Sequence, residues 1–178
     1  MKPPILSLDE IKSDKQFEEL VAAYFRSRRS KKSSNIDKVE VNHSGVGPDG
    51  GKDILVDLQF SDGIGGFNRR WVVQCKFHNS NISPATLNDN NIPTLIHSYN
   101  AHGYLLVCRK NPTSKLTAMF DRLNQNCTFK YRYEVWSGNM LLGQLLIADE
   151  KIKKQFFPVY YHKEKLLENK KTTKKKTK

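Results

Sequence analysis

Asp49-Gly50-Gly51-Lys52-Asp53-Ile54-Leu55-Val56-Asp57-Leu58 and, after a Gly-rich connection, Trp71-Val72-Val73-Gln74-Cys75-Lys76 decide how this chain is read. Both apolar runs are short, rich in β-branched or large apolar residues and bounded by Gly or Asp, so each predicts a strand, with residues 61–70 as a hairpin loop. Alternate side chains of a strand share a face. Gln74 and Lys76 therefore point the same way, roughly 7 Å apart, while Val73, Cys75 and Phe77 turn to the other side. A carboxylate at the start of the first strand can then meet an amide and an ammonium on the second.

Those three side chains suit phosphodiester hydrolysis. An Asp oxygen is a hard ligand for Mg²⁺, a Gln carbonyl and a backbone carbonyl can fill further positions, and the metal keeps several waters. A Lys ammonium beside them can orient such a water, lower its pKa and hold the charge that builds on the phosphorane oxygens.

The pattern Asp-Gly-Gly-x-Asp, followed about twenty residues later by Gln-x-Lys in a strand, resembles the Mrr-like branch of the PD-(D/E)XK restriction-endonuclease superfamily. Phe17-Glu18-Glu19-Leu20 is similar to that branch's first-helix signature, and a looser likeness extends to about Phe157. The resemblance implies an α/β restriction-endonuclease-like core, with a mixed central sheet flanked by helices in three α/β/α layers. It implies catalytic roles for Asp53, Gln74, Lys76, Glu18 and Asp49. It also implies a metal held by Asp53, Gln74, Glu18 and the backbone at Cys75, with Mg²⁺ as cofactor and Mn²⁺ as its substitute. Most of the superfamily has Asp or Glu where this chain has Gln74, and a neutral ligand should hold the cation more weakly.

The activity so implied is a metal-dependent DNA endonuclease, in restriction or anti-phage defence. A junction- or repair-type nuclease of the same fold, and a nuclease-fold module that only binds DNA, are the alternatives. Cutting both strands of a duplex calls for two active sites, which makes a homodimer an expectation that no residue here encodes.

Thirty Lys and Arg against eighteen Asp and Glu give a net charge of +12, of which residues 163–178 supply +6 through eight Lys and two Glu. A basic body with a basic tail suits a polyanion. Arg26, Arg28, Arg29, Lys31 and Lys32 cluster where the first helix should end, Lys52 sits inside the Asp-Gly-Gly-Lys-Asp turn, and His43 and His78 flank the strands of the site. These are the candidate DNA contacts. The chain also contains Gly45-x-Gly47-x-x-Gly50, but a strand follows it where a dinucleotide fingerprint needs a helix, so that reading is rejected.

With 178 residues and nine Phe, seven Tyr and two Trp, the chain can fill one core and not two. One nuclease domain over residues 1–162 and a disordered Lys-rich tail over 163–178 is the expectation. Ser13 and Gln16 form a capping box for a helix over 14–28. Val39 to Val41, Tyr104 to Cys108 and Tyr131 to Trp136 read as further strands. Helices are predicted over 84–99, 114–124 and 138–148, and an aromatic segment over 156–161 should dock on the body. Three widely spaced cysteines without zinc spacing, no run of ~20 apolar residues and no signal peptide point to reduced thiols in a cytoplasmic protein with no membrane partner.

Overall fold

The computed structural model describes residues 3–28, 35–43, 52–87 and 91–176, with side chains as far as 170. Its centre is a five-stranded sheet in the order β1-β2-β3-β4-β5, formed by Ile36–His43, Ile54–Ser61, Gly66–Lys76, Gly103–Cys108 and Arg132–Trp136. The first three strands form an antiparallel meander, and β3-β4 and β4-β5 are parallel. That split follows the connections: the four-residue turn from β2 to β3 suits antiparallel neighbours, whereas the parallel pairs need crossovers. Six helices flank the sheet among the described residues: α1 Asp14–Ser27, α2 Ile92–Ser98, α3 Ser114–Asn126, α4 Gly138–Leu146, α5 Glu150–Phe156 and α6 Pro158–Lys176.

Two apolar layers hold these helices on opposite faces. On one, Ile54, Val56, Val73, Leu105 and Val107 pack against Phe17, Leu20 and Val21 of α1, Leu141 and Leu145 of α4, and Ile152, Phe156 and Phe157 beyond them. On the other, Val72, Tyr104, Leu106 and Cys108 meet Leu95 and Ile96 of α2 and Leu116 and Phe120 of α3. Every residue of β4 is buried, as expected of an inner parallel strand covered on both sides. Helix α1 starts where the capping box places it. Ser13 Oγ accepts from the Gln16 N–H at 3.2 Å, while Gln16 Oε1 reaches one residue further back than the motif implies, to the Lys12 N–H at 2.7 Å.

Four elements differ from the sequence reading. The hairpin loop is only Asp62 to Gly65, because Gly66 to Arg70 pair with β2 and the Phe60 and Phe67 rings stack across the strands at 5.1 Å. Asp62 Oδ1 closes the turn by accepting from the Ile64 and Gly65 N–H groups, and Gly63 takes a φ of +87° that other residues rarely adopt. Strand β1 extends on both sides of Val39 to Val41. The single helix expected over 84–99 is a 3-10 turn, Pro84–Leu87, followed by α2, which Asn91 caps and Pro93 enters in its first turn. The stretch from Lys163 onward, read as a disordered tail, is helical as far as Lys176. Its start is fixed from far away in sequence: Glu10 accepts from the Val159 and Tyr160 N–H groups at 2.8 and 3.0 Å. The aromatic segment docks as expected, with Phe156, Phe157 and Tyr160 buried.

Candidate active site

Strand β2 begins at Ile54, and Asp53 stands just before it. The Asp53 N–H donates to the Val73 carbonyl at 3.1 Å, and its Oδ2 accepts from the Cys75 N–H at 2.6 Å. The carboxylate thus takes the place of the next ladder carbonyl, in the plane of the sheet. In an extended strand the N–H and C=O of one residue point to the same side, so the Cys75 carbonyl also faces the end of β2.

On the far side of β3, Gln74 pairs in register with Leu106 and Lys76 with Cys108. Gln74 is only 2% exposed and sits with Val72 on the α2–α3 face, while Val73, Cys75 and Phe77 turn toward α1, as the strand period requires. Its Oε1 accepts from the Tyr104 hydroxyl. Burial, and after it the charge of Asp53, pushes the Tyr104 phenol well above its ordinary value, so this hydroxyl is a permanent donor. Among the described residues no buried side-chain polar atom lacks a partner.

Glu18 approaches from α1. Partial burial, then the Asp53 charge, raises its carboxyl above the ordinary range. The Cys75 thiol is pushed far up by burial, then by Asp53 and Glu18, and Lys76 opposes the shift. Asp53 is thus held on the Cys75 N–H at the start of β2, between Gln74 and Lys76 along β3, and its charge acts on Glu18 of α1. Asp53 lies between the layers, Glu18 comes from one face and the Gln74–Lys76 pair from the other.

The outer candidates are placed less uniformly. Arg26 and His43 meet each other at 2.6 Å and share the Glu19 carboxylate, at 3.8 and 3.6 Å. Arg28 ends α1, the Lys52 ammonium lies 4.4 Å over the Tyr99 ring, and His78 is exposed just past β3. Asp49, Arg29, Lys31 and Lys32 lie outside the described residues. Sequence reasoning missed Tyr104 and Arg109. The only signals were a phenol within an otherwise apolar buried run and a cation directly after it.

A mixed five-stranded sheet with helices on both faces defines an α/β domain. Residues 9–125 match the Mrr_cat family model, described as restriction endonuclease, and the chain belongs to that family. No curated protein matches it. Among solved structures it is similar to the MspJI restriction endonuclease in complex with a 27-mer oligonucleotide, at 13% identity and a TM-score of 0.48 over 72% of this chain and 27% of that one. It is also similar to the DNA modification-dependent restriction endonuclease AspBHI, at 9% identity and a TM-score of 0.46 over 82% of this chain and 39% of that one. The chain therefore spans well under half the length of either.

Proposed function

We propose that this chain is a divalent-cation-dependent DNA endonuclease that hydrolyses phosphodiester bonds, with Mg²⁺ as its cation and restriction or anti-phage defence as its role. The observation that supports the reading is the Asp53 carboxylate at the start of β2 accepting from the Cys75 N–H at 2.6 Å, which seats it between the Gln74 and Lys76 positions of β3.

The donor set fits a small hard cation. The Glu18 and Asp53 carboxylates, an amide oxygen with two acceptor positions and the Cys75 carbonyl are all oxygen ligands. Among the described residues no cluster of three or more His, Cys, Asp or Glu gathers to hold a metal, and in this reading the amide and the backbone carbonyl would complete the set. When bound, the cation supplies charge compensation and a water of lowered pKa.

The chain's own groups do the rest. The Cys75 N–H fixes the Asp53 carboxylate, Tyr104 fixes the Gln74 amide, and the Lys76 ammonium stabilises negative charge on the phosphate as it develops. Phosphates of the flanking DNA would be met by Arg28, Arg29, Lys31, Lys32, Lys52 and His78. Arg26 and His43 contribute less because they already share Glu19.

Supercoiled, relaxed, linear and single-stranded DNA incubated with Mg²⁺, Mn²⁺ or EDTA test the reading together with Asp53→Ala and Lys76→Ala. Cation-dependent cutting that both substitutions abolish is expected. Cutting that survives EDTA and both substitutions would overturn it.

A further inference from the structure

Arg109 follows β4 directly, and its backbone N–H donates to the Lys76 carbonyl at 2.9 Å, carrying the parallel ladder one residue past the strand. Its side chain then folds back over the sheet end. The guanidinium carbon lies 4.4 Å from the centroid of the Phe77 ring, and Phe77 packs in turn on Phe17, with ring centroids 5.4 Å apart. Phe77 is the residue after Lys76, and Phe17 is the residue before Glu18. One cation and two rings thus connect the neighbours of two groups of the site that stand on different elements.

The guanidinium is itself held. Nη1 donates to Asn79 Oδ1 at 2.5 Å and Nη2 to Asp9 Oδ1 at 3.1 Å, and the Arg109 side chain is 15% exposed where that of Asp9 is 80% exposed. Its backbone is held too: a Cβ on Gly138, at the start of α4, would come within 2.0 Å of the Arg109 carbonyl oxygen, so only glycine lets the two backbones approach this closely. A planar cation stacked on a ring, with both ends hydrogen-bonded, has one orientation, which a flexible ammonium would not reproduce.

We infer that Arg109 is a positioning residue for the hydrolysis proposed above: through Phe77 and Phe17 it sets Lys76 on β3 against Glu18 on α1. The inference rests on that reading of the site. Arg109 points its charge at Asp9, Asn79 and the Phe77 ring, so its effect passes through the positions of Lys76 and Glu18 and not through contact with the phosphate.

The test compares intact protein with Arg109→Lys, Phe77→Leu and the double variant. Three quantities are measured: DNA affinity in EDTA, the single-turnover cleavage rate at saturating protein, and the Mg²⁺ concentration for half-maximal rate. Expected are an affinity within about twofold of wild type, a rate lowered about ten- to hundredfold in each single variant, and a raised Mg²⁺ midpoint. The double variant should be no slower than the worse single one, because both break the same stack. Phe77→Leu keeps the inference testable if Arg109→Lys folds poorly, since it leaves the guanidinium and its hydrogen bonds in place. Wild-type rates and midpoints in both single variants, with Asp53→Ala inactive, would overturn this inference and leave the proposed function standing. A loss of DNA affinity equal to the loss of rate would also overturn it, by making Arg109 a phosphate contact. A wild-type protein that cuts no DNA with any cation would overturn the functional reading, and this inference with it.

Discussion

Tyr104→Phe removes one oxygen from the molecule and is the sharpest test of how Gln74 is held. Both side chains are buried, at 0% and 2% exposure, and the hydroxyl removed is the donor to the Gln74 carbonyl. The ring itself stays packed against Phe120, so little volume is lost. Losing this hydrogen bond to a buried carbonyl costs about 1–3 kcal/mol. At about 2–4 °C per kcal/mol for a chain of this length, the melting temperature should fall by about 2–12 °C. The amide is then less firmly oriented, so the divalent cation needed for half-maximal cleavage should rise. Thermal melts in EDTA read the first effect and a Mg²⁺ titration of cleavage the second. A double-mutant cycle with Gln74→Met isolates the pair and should return a coupling of at least ~0.5 kcal/mol. A variant that melts with the wild type and shows no coupling would refute the idea that Tyr104 fixes the amide.

Glu18→Gln follows from a carboxyl raised by burial and by Asp53. A folded-state value above the unfolded one means that stability is fully present below the unfolded pKa and lost as pH rises through the folded pKa. In EDTA the wild type should therefore lose stability as pH rises through that mildly acidic window. The variant should be flat there and melt higher at neutral pH, and parallel melting curves for the two would show that the carboxylates do not interact. Gln74→Glu should lower the Mg²⁺ midpoint of cleavage, since a carboxylate binds a hard cation better, and should destabilise the cation-free protein beside Asp53 and Glu18; an unchanged midpoint would place Gln74 away from the cation. Deleting residues 169–178 removes six lysines while sparing Glu164 and Lys165, which bond to Tyr160 and Glu150. Log affinity for duplex DNA should then depend less steeply on log salt, by about 0.9 for each phosphate that these lysines neutralise, and an identical slope would mean that they meet none.

What was legible in the sequence is whatever depends on local period and punctuation. Asp53, Gln74 and Lys76 could be set on neighbouring strands because two apolar runs and a period of two fix their relative faces. Ser13 and Gln16 announced α1, and the apolar run from Tyr104 announced a strand buried on both sides. The extent of β3 was not legible, because Gly66 to Arg70 show no alternating apolar pattern, Gly66 to Arg69 are exposed, and all five are ordered by pairing with β2. The 3-10 turn at Pro84 carries the same Ser-Pro signal as a helix start. Tyr104 and Arg109 escaped because their roles depend on the parallel register of β4 against β3, which no spacing within either strand encodes. Helix α6 escaped for a related reason. Composition from Lys163 onward argues for disorder, yet the carboxylate at its first turn comes from Glu10.

That bond also bears on how the molecule assembles. Glu10 and its two amide donors are 149 and 150 residues apart, so the contact closes a ring that encloses the entire sheet. Closing so long a loop early would cost more entropy than forming the β1-β2-β3 meander, whose partners are near in sequence, and contacts of large separation form late as a rule. The seating of α6 is accordingly a closing step of folding, and slow hydrogen exchange at the Val159 and Tyr160 amides would mark molecules in which it has been completed.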